Sequence, residues 1–496
     1  MLVALIYLLL FLFLVYRNGF FGTFKDERIS TARFAFLFFF KALAIPAFAL
    51  VYNKFYGGLE LFDAGVFYSD AKAVNALAYL SPAEYLKLMF GLQDDSEGSY
   101  VYEHCLVNTL DWDNGKVVDF FYNDNRVVIR LHSLIHFIAF DSYYVHALFN
   151  CFLSFIGVFF LYRAFREFFI GKEMPLLLIF CFFPTLWFYT GAVSKEGLTL
   201  FVLGCSTFQL RKIIYRQATV KSVLWLLFLL FVSCLLKPYL LCFSAFCFTV
   251  FFSIHRYQAR FKVLLFTAAM CIAVFSANIL CIVAIQRSLT DVALERQHVF
   301  SEAARGGIFL LDSVKFVRLE YDSTLVKRSG PGHYTIKKQV PYIYWEHTHQ
   351  QDTLFCAANT DTSTRYQLVY QLGRSGSNLS LSAFSGSLPR VLASCLHYSL
   401  FYPFFVNGRG ALQMAASVEN LVILFALLIL LLGFVRNKKD YFPPLIFLFF
   451  ALALCILVGL TTPNSGAIFR YRSPAVIFIL AAALYYTRLF KSRAPD

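Results

Sequence analysis

Two carboxylates seven residues apart, Asp63 and Asp70, stand in the segment FDAGVFYSDA that follows Gly57-Gly58. If the segment is helical, Asp63, Phe67, Asp70 and Ala71 share one face, because residues three, four and seven apart stack. Close to a membrane surface a lower dielectric raises a carboxylate pKa towards the range useful for a general base. That makes both acids candidate catalytic groups, against the plain reading of solvated loop charges. The candidate cations come from three other places. GAVSKEG (Gly191–Gly197) holds Lys195 and Glu196, the only charges between Glu173 and Arg211. Charges at such depth line a cavity or pair with each other, and a snorkelling Lys–Glu pair marking a helix end is the alternative. Lys237-Pro238-Tyr239 places a lysine at a helix-breaking proline. TTPNSGAIFRYRSP (Thr461–Pro474) carries Arg470 and Arg472. The planar fork of arginine binds phosphate oxygens bidentately, so Arg470 and Arg472, with Lys195 and Lys237, are candidates to hold a lipid phosphate; ordinary headgroup attraction or pairing with an acid of the first loop is the alternative. The histidine pairs His132/His136 and His347/His349 lack the Glu or third ligand of a metal site, and no phosphate-cradling glycine loop or nucleophile elbow is present. No cofactor is expected, and a divalent metal has no support in these spacings.

These residues must be positioned by a membrane bundle. Hydrophobic residues make up 59% of the 496-residue chain and charged residues only 15%, more apolar surface than a soluble core uses. A span needs about 20 residues at about 1.5 Å each. Hydropathy puts crossings at about 1–16, 34–53, 143–163, 174–191, 197–210, 222–237, 239–254, 263–285, 418–435, 441–460 and 474–488. The short connections at Arg17–Arg33, Arg163–Lys172, Arg211–Lys221, Arg256–Lys262, Arg436–Lys439 and Arg488–Arg493 hold 20 of the 44 Lys and Arg, which makes them cytoplasmic by the positive-inside rule. Eleven crossings then place the N-terminus outside, with Leu2–Val15 read as a retained anchor. The net charge of +14 is an orientation signal towards anionic lipid and makes no case for nucleic acid. Most of the twelve cysteines fall in spans, and Cys105, Cys356 and Cys395 suggest neither a disulfide framework nor a zinc site.

The fold class that follows is an all-α polytopic membrane protein of about 11 transmembrane helices with two large extracytoplasmic loops. Its units are two helices in 1–53, a first outer loop in 54–142, a six-helix core in 143–285, an outer insertion in 286–390, and a re-entrant segment with three helices in 391–496. Amphipathic stretches at Ala71–Tyr79 and Val127–Phe140 suggest short interfacial helices in the first loop. In the insertion, alternation at Phe316–Tyr321 and Tyr334–Trp345 around Pro331-Gly332 suggests a β-hairpin, while Gln350–Ser387 reads as irregular surface. Leu388–Phe405, broken by His397 and Pro403, reads as re-entrant or interfacial. By this topology Asp63, Lys195, Lys237 and Arg470 share the outer face.

At this point the chain resembles the GT-C glycosyltransferases, polytopic enzymes that use polyprenyl-phosphate sugars, and within them the bacterial dolichyl-phosphate-mannose transferase-like group. The resemblance rests on Asp63, Phe67 and Ala71 in the first outer loop, on Arg470 to Pro474 (RYRSP) before the final span, and on GAVSKEG. It departs in Ala64, where many members have a second acid, and in having two spans before the first outer loop instead of one. The resemblance implies a bacterial inner-membrane enzyme whose site faces the periplasm. Asp63 would be the base that deprotonates an acceptor hydroxyl, and the arginines and lysines would steady the departing polyprenyl phosphate. Implied partners are a polyprenyl-phosphate-linked sugar, a glycan, lipid or protein acceptor, and the bilayer. Two other readings fit the same outer face: a lipid-linked oligosaccharide polymerase or ligase, in which the arginines dominate and Asp63 is dispensable, and a non-enzymatic transporter or flippase of lipid-linked sugars.

Overall fold

The computed structural model describes residues 2–17, 24–55, 58–94, 98–112, 123–258, 261–286, 288, 291–292, 388–403, 411–436, 441–462 and 465–487, and the backbone of seven strands between 306 and 371. The helices are α1 (Leu2–Tyr16), α2 (Thr31–Ala42), α3 (Ala44–Phe55), α4 (Asp63–Leu80), α5 (Pro82–Phe90), α6 (Tyr100–His104), α7 (Asn125–Ala139), α8 (Tyr143–Phe165), α9 (Glu173–Phe182), α10 (Pro184–Tyr189), α11 (Lys195–Ile214), α12 (Val220–Leu236), α13 (Pro238–Arg256) and α14 (Lys262–Ile285), followed beyond the strands by α15 (Leu388–Phe401), α16 (Ala411–Arg436), α17 (Phe442–Thr461) and α18 (Ser465–Tyr486). Among the described residues, eight stretches are helical, long and apolar enough to cross a membrane, and α1, α9 and α12 are apolar but shorter. Together they fall on the eleven crossings expected from hydropathy. The chain is a polytopic membrane protein.

Prolines set several of the breaks. Pro46 has no N–H to return to Ala42, and the crossing expected at 34–53 divides into α2 and α3 there. Phe183 is held extended (φ −55°, ψ 122°) before Pro184, so the expected single span at 174–191 is two short helices instead. Lys237 is extended in the same way (φ −144°, ψ 74°) before Pro238, which turns the chain from α12 into α13. Pro474 lies inside α18 and cannot donate to the Arg470 carbonyl; the Ser473 hydroxyl donates to it at 2.9 Å and keeps the helix continuous.

The bundle is centred on α8 and α11, which approach so closely at Gly157 and Gly204 that a Cβ on Gly204 would collide with the Gly157 carbonyl. Small residues let membrane helices meet at backbone distance. Aromatic packing fills the rest: Phe165 stands 5.2 Å from Phe248, 5.0 Å from Phe447 and 5.8 Å from Phe478, tying α8 to α13, α17 and α18. Opposite ends of the bundle carry different polar sets. One end holds Arg166 against Asp26, Arg211 against Glu167 at 2.5 Å and Arg28 against Glu173 at 2.6 Å. These are the Arg/Lys-rich connections.

In the insertion, β1 (Gly306–Leu310), β2 (Lys315–Glu320), β3 (Val326–Gly330), β4 (His333–Ile336), β5 (Ile343–Glu346), β6 (Gln351–Asp352) and β7 (Tyr366–Gln371) form one antiparallel sheet in the order β3-β4-β7-β1-β2-β5-β6. The two stretches expected to form a hairpin do meet, as β2 against β5 with Phe316 opposite Trp345, but they are not joined by a single turn: β3 and β4 form their own hairpin between them, with Gly330 opposite His333, and Pro331-Gly332 itself lies outside the described residues. The region expected to be irregular, Gln350–Ser387, supplies two strands, and β7 lies inside the sheet between β4 and β1. Its sequence YQLVYQ is rich in strand-favouring residues that the surrounding Ser, Thr and Asn obscured. Leu388–Phe405 is mostly the helix α15, packed so closely on α17 that a Cβ on Gly459 would meet the Cys395 backbone. The expected loop at Thr461–Pro474 is largely helix as well, since α17 ends at Thr461 and α18 begins at Ser465.

Candidate functional site

At the end of the bundle away from those basic connections, the side chains singled out in four separate stretches of sequence come together. Asp63 is the first residue of α4, and Gly65 allows that helix start to lie against the backbone of Leu59 and Glu60. Asp63 Oδ2 accepts a hydrogen bond from Arg470 Nη1 at 2.7 Å, across 407 residues. The Nε of the same guanidinium is 2.7 Å from Glu196 Oε1. That oxygen also accepts from Lys237 Nζ at 3.1 Å. Lys195 Nζ donates to Asp124 Oδ1 at 2.5 Å. Three acids and three cations thus compensate one another where α4, α7, α11, α18 and the Lys237 turn converge. Aromatic faces line the cations: Arg470 lies 5.8 Å over Tyr189, Lys237 4.8 Å over Tyr471 and Lys195 5.9 Å over Phe67.

The turn before α11 is held from below. Asn150 of α8 donates its side-chain amide to the carbonyls of Ala192 (2.5 Å) and Ser194 (3.1 Å), and Gly197 is packed so tightly on Asn150 that a Cβ there would clash. Lys41, buried in α2, donates to Thr190 Oγ1 at 2.9 Å. The backbone carrying Lys195 and Glu196 is therefore fixed by two polar groups inside the bundle.

Burial divides the cluster. The side chains of Glu196, Lys237 and Arg470 are 4%, 6% and 14% exposed, whereas Asp63 is 57% exposed. Partial withdrawal from water works to raise the Asp63 pKa, but the Arg470 guanidinium, with help from Lys195, outweighs it and holds the carboxyl below its ordinary value.

Lys195 and Glu196 do not form the mutual pair that their adjacency suggests. Successive residues on a helix diverge, so Lys195 reaches Asp124 while Glu196 reaches Arg470 and Lys237. Neither Glu196 nor Asp124 is picked out as a site residue by the sequence. The available signal was Glu196 as a charge at the mouth of a span.

Asp70 is drawn away from the cluster. It is buried and accepts backbone N–H groups of Leu110 (2.9 Å), Asp111 (2.7 Å) and Trp112 (3.1 Å), pinning the first outer loop onto α4. Arg472 is drawn away too. As a helical residue two positions from Arg470 it points to another side, fully buried, where it donates to the carbonyls of Ser399 (2.7 Å) and Leu400 (3.1 Å) and to Asn420 Oδ1 (2.6 Å), and pairs with Glu419 at 3.4 Å. It fastens the end of α15 to α16 and α18. Asp63 and Asp70 lie seven apart on one helix as expected but hold different partners, and Arg470 and Arg472, two apart on α18, diverge to separate duties.

His132 and His136 lie on α7 between other helices: His132 Nδ1 is 3.1 Å from His146 Nδ1 of α8, and His136 Nε2 is 3.3 Å from the Tyr68 carbonyl of α4. Burial pushes the His132 imidazole down to about 3, aided by His136. Among the described residues no group of three or more His, Cys, Asp or Glu has the arrangement of metal ligands. His347, His349 and Cys356 lie outside the described residues, and Cys105 and Cys395 are buried.

One cavity of about 720 Å³ flanks the site across α3. Ile45, Ala49, Leu50 and Lys54 of that helix line it together with Ala4, Leu8 and Leu148. The other side of α3 presents Phe48 and Tyr52 to Phe188, Tyr189 and Phe62 around the cluster.

Fold and site together describe a multi-pass helical membrane protein with a charge-compensated cluster at one end of its bundle. Over residues 109–344 the chain matches the family model described as "Predicted membrane protein (DUF2142)". The matched stretch contains Asp124, Lys195, Glu196 and Lys237, and Asp63 and Arg470 lie outside it. No curated protein and no solved structure matches the chain.

Proposed function

We propose that the chain is a membrane glycosyltransferase that passes a sugar from a polyprenyl-phosphate donor to an acceptor at the extracytoplasmic face, in assembly of cell-envelope glycan. The observation that carries this reading is the exposed carboxylate of Asp63 held at 2.7 Å from the guanidinium of Arg470, itself backed by Glu196 and flanked by Lys237. An accessible base beside fixed cations suits glycosyl transfer from a lipid phosphate, in which an acceptor proton is removed as charge grows on the leaving group. As the acceptor oxygen attacks the anomeric carbon, its proton passes to Asp63. The bond from the anomeric carbon to the phosphate oxygen breaks, and its electron pair leaves with the phosphate. Arg470, with Lys237 and Lys195 close by, carries the charge that grows there; preorganised cations are most effective where charge develops. The donor's apolar chain in this reading lies along the apolar-lined cavity on the far side of α3. In this reading Asp70 and Arg472 act by holding the loop and α15 in place, and neither touches the reacting groups.

The test is transfer from a polyprenyl-phosphate sugar by the purified protein in detergent. Asp63→Asn keeps the size of the side chain and removes the base, so the transfer rate falls by about 10²–10⁴-fold, the usual contribution of a general base. Full activity in that variant removes Asp63 as base and favours the polymerase or ligase reading, in which the cations dominate. Absence of transfer by the unaltered protein, with intact binding of the lipid, favours the transporter.

A further inference from the structure

The two carboxylates on Arg470 are not equivalent. Glu196 is buried and shared with Lys237, so releasing it would strand two cations beneath the surface, a costly arrangement. Asp63 is more than half exposed and sits on the first residue of a helix, where a change of side-chain rotamer returns it to water at little cost. Arg470 therefore has one permanent partner and one exchangeable one. We infer that Asp63 is a placeholder: it occupies the face of Arg470 that the phosphate of the lipid donor takes, so that binding of the phosphate and release of the carboxylate are one event. This rests on the proposed function for the identity of the anion and goes beyond it in making the base and the phosphate compete for one guanidinium.

Charge counting supports the exchange. Asp63, Glu196 and Asp124 already balance Arg470, Lys237 and Lys195, and a phosphate added to the intact set would be uncompensated. Moving Asp63 out frees one arginine edge, which suits two phosphate oxygens better than one carboxylate oxygen at a single nitrogen. The exchange also readies the base. Arg470 is what holds the Asp63 carboxyl low, and once phosphate neutralises it the carboxyl recovers its proton affinity, further raised by the new negative neighbour. The base becomes strong only when a donor is present.

The experiment measures binding of polyprenyl phosphate, the lipid product, to the full chain in detergent by calorimetry. Because Asp63→Asn removes the competitor, that variant binds about fivefold tighter than the unaltered protein, the size of a partly exposed ion pair. Arg470→Gln binds more weakly. An unchanged or weaker affinity in Asp63→Asn overturns the placeholder whatever happens to transfer. Tighter binding with undiminished transfer upholds the placeholder while removing Asp63 as base, so the two ideas fail separately. A second measurement needs no variant: carbodiimide labelling of Asp63, followed by peptide mass spectrometry, rises on saturation with polyprenyl phosphate. Labelling that stays constant or falls overturns the exchange.

Discussion

Asp63 and Asp70 look alike in the sequence and differ in everything that matters for chemistry. Asp63 faces water and a guanidinium; Asp70 faces three backbone N–H groups beneath a loop. Asp70→Asn replaces one acceptor oxygen by an NH₂ that opposes amide donors, so the protein loses on the order of 2 kcal/mol of stability. Thermal unfolding will show that loss, while the correctly folded fraction keeps its transfer rate; a fall in rate without a fall in stability would return Asp70 to the chemistry. For Asp63 the test is pH. A base works only when deprotonated, so activity falls as pH drops through its pKa. In the free protein that pKa lies below the ordinary aspartate value of about 3.9, and the acid limb of kcat/KM lies there too. With donor bound the Arg470 partnership is gone, so the acid limb of kcat lies at higher pH. Coincident limbs would mean that Asp63 keeps the same surroundings in both states.

At the scale of elements, α18 serves two structures with residues two apart. Arg470 faces the charge cluster, and Arg472 faces the carbonyl end of α15 and the polar residues of α16. Helical twist makes that division, and the Ser473 hydroxyl on the Arg470 carbonyl lets the helix continue past Pro474. Arg472→Lys preserves charge but loses the fork that meets two carbonyls and an amide at once. The expected result is a lower unfolding temperature, reflecting a cost on the order of 2 kcal/mol, with unchanged affinity for the lipid phosphate. A selective loss of donor affinity at full stability would put Arg472 in the binding site. The elements themselves were largely legible. Apolar length located the spans, whereas the break at Pro184, β7 and the helical start at Ser465 were hidden: a proline inside an apolar run leaves hydropathy unchanged, and polar neighbours mask a strand or helix that tertiary pairing stabilises.

For the whole molecule the prediction is topological. Single cysteines introduced in place of Lys54 and at residue 464 should react with an impermeant reagent from the outside of intact cells, as should cysteines in 286–390. Cysteines at Arg216 and Arg436 should react only after the membrane is opened. The charge pattern demands this arrangement, and the structure sets Lys54, on the helix beside the cluster, at the other end of the bundle from Arg216 and Arg436. Labelling of position 464 from the cytoplasmic side would turn the cluster inward, away from any acceptor in the envelope.

Hydropathy and charge by themselves determined that the chain crosses the membrane repeatedly, where most helices fall and which connections share a side, because those properties are local and the bilayer imposes them on each segment separately. Tertiary structure decided which charged side chains meet. Asp63 and Arg470 are 407 residues apart, Lys195 and Glu196 are adjacent yet diverge, and Arg472 differs from Arg470 only by a turn of direction. Pairing of that kind depends on helix rotation and on close approaches such as Gly157 to Gly204, and neither is fixed until the helices pack.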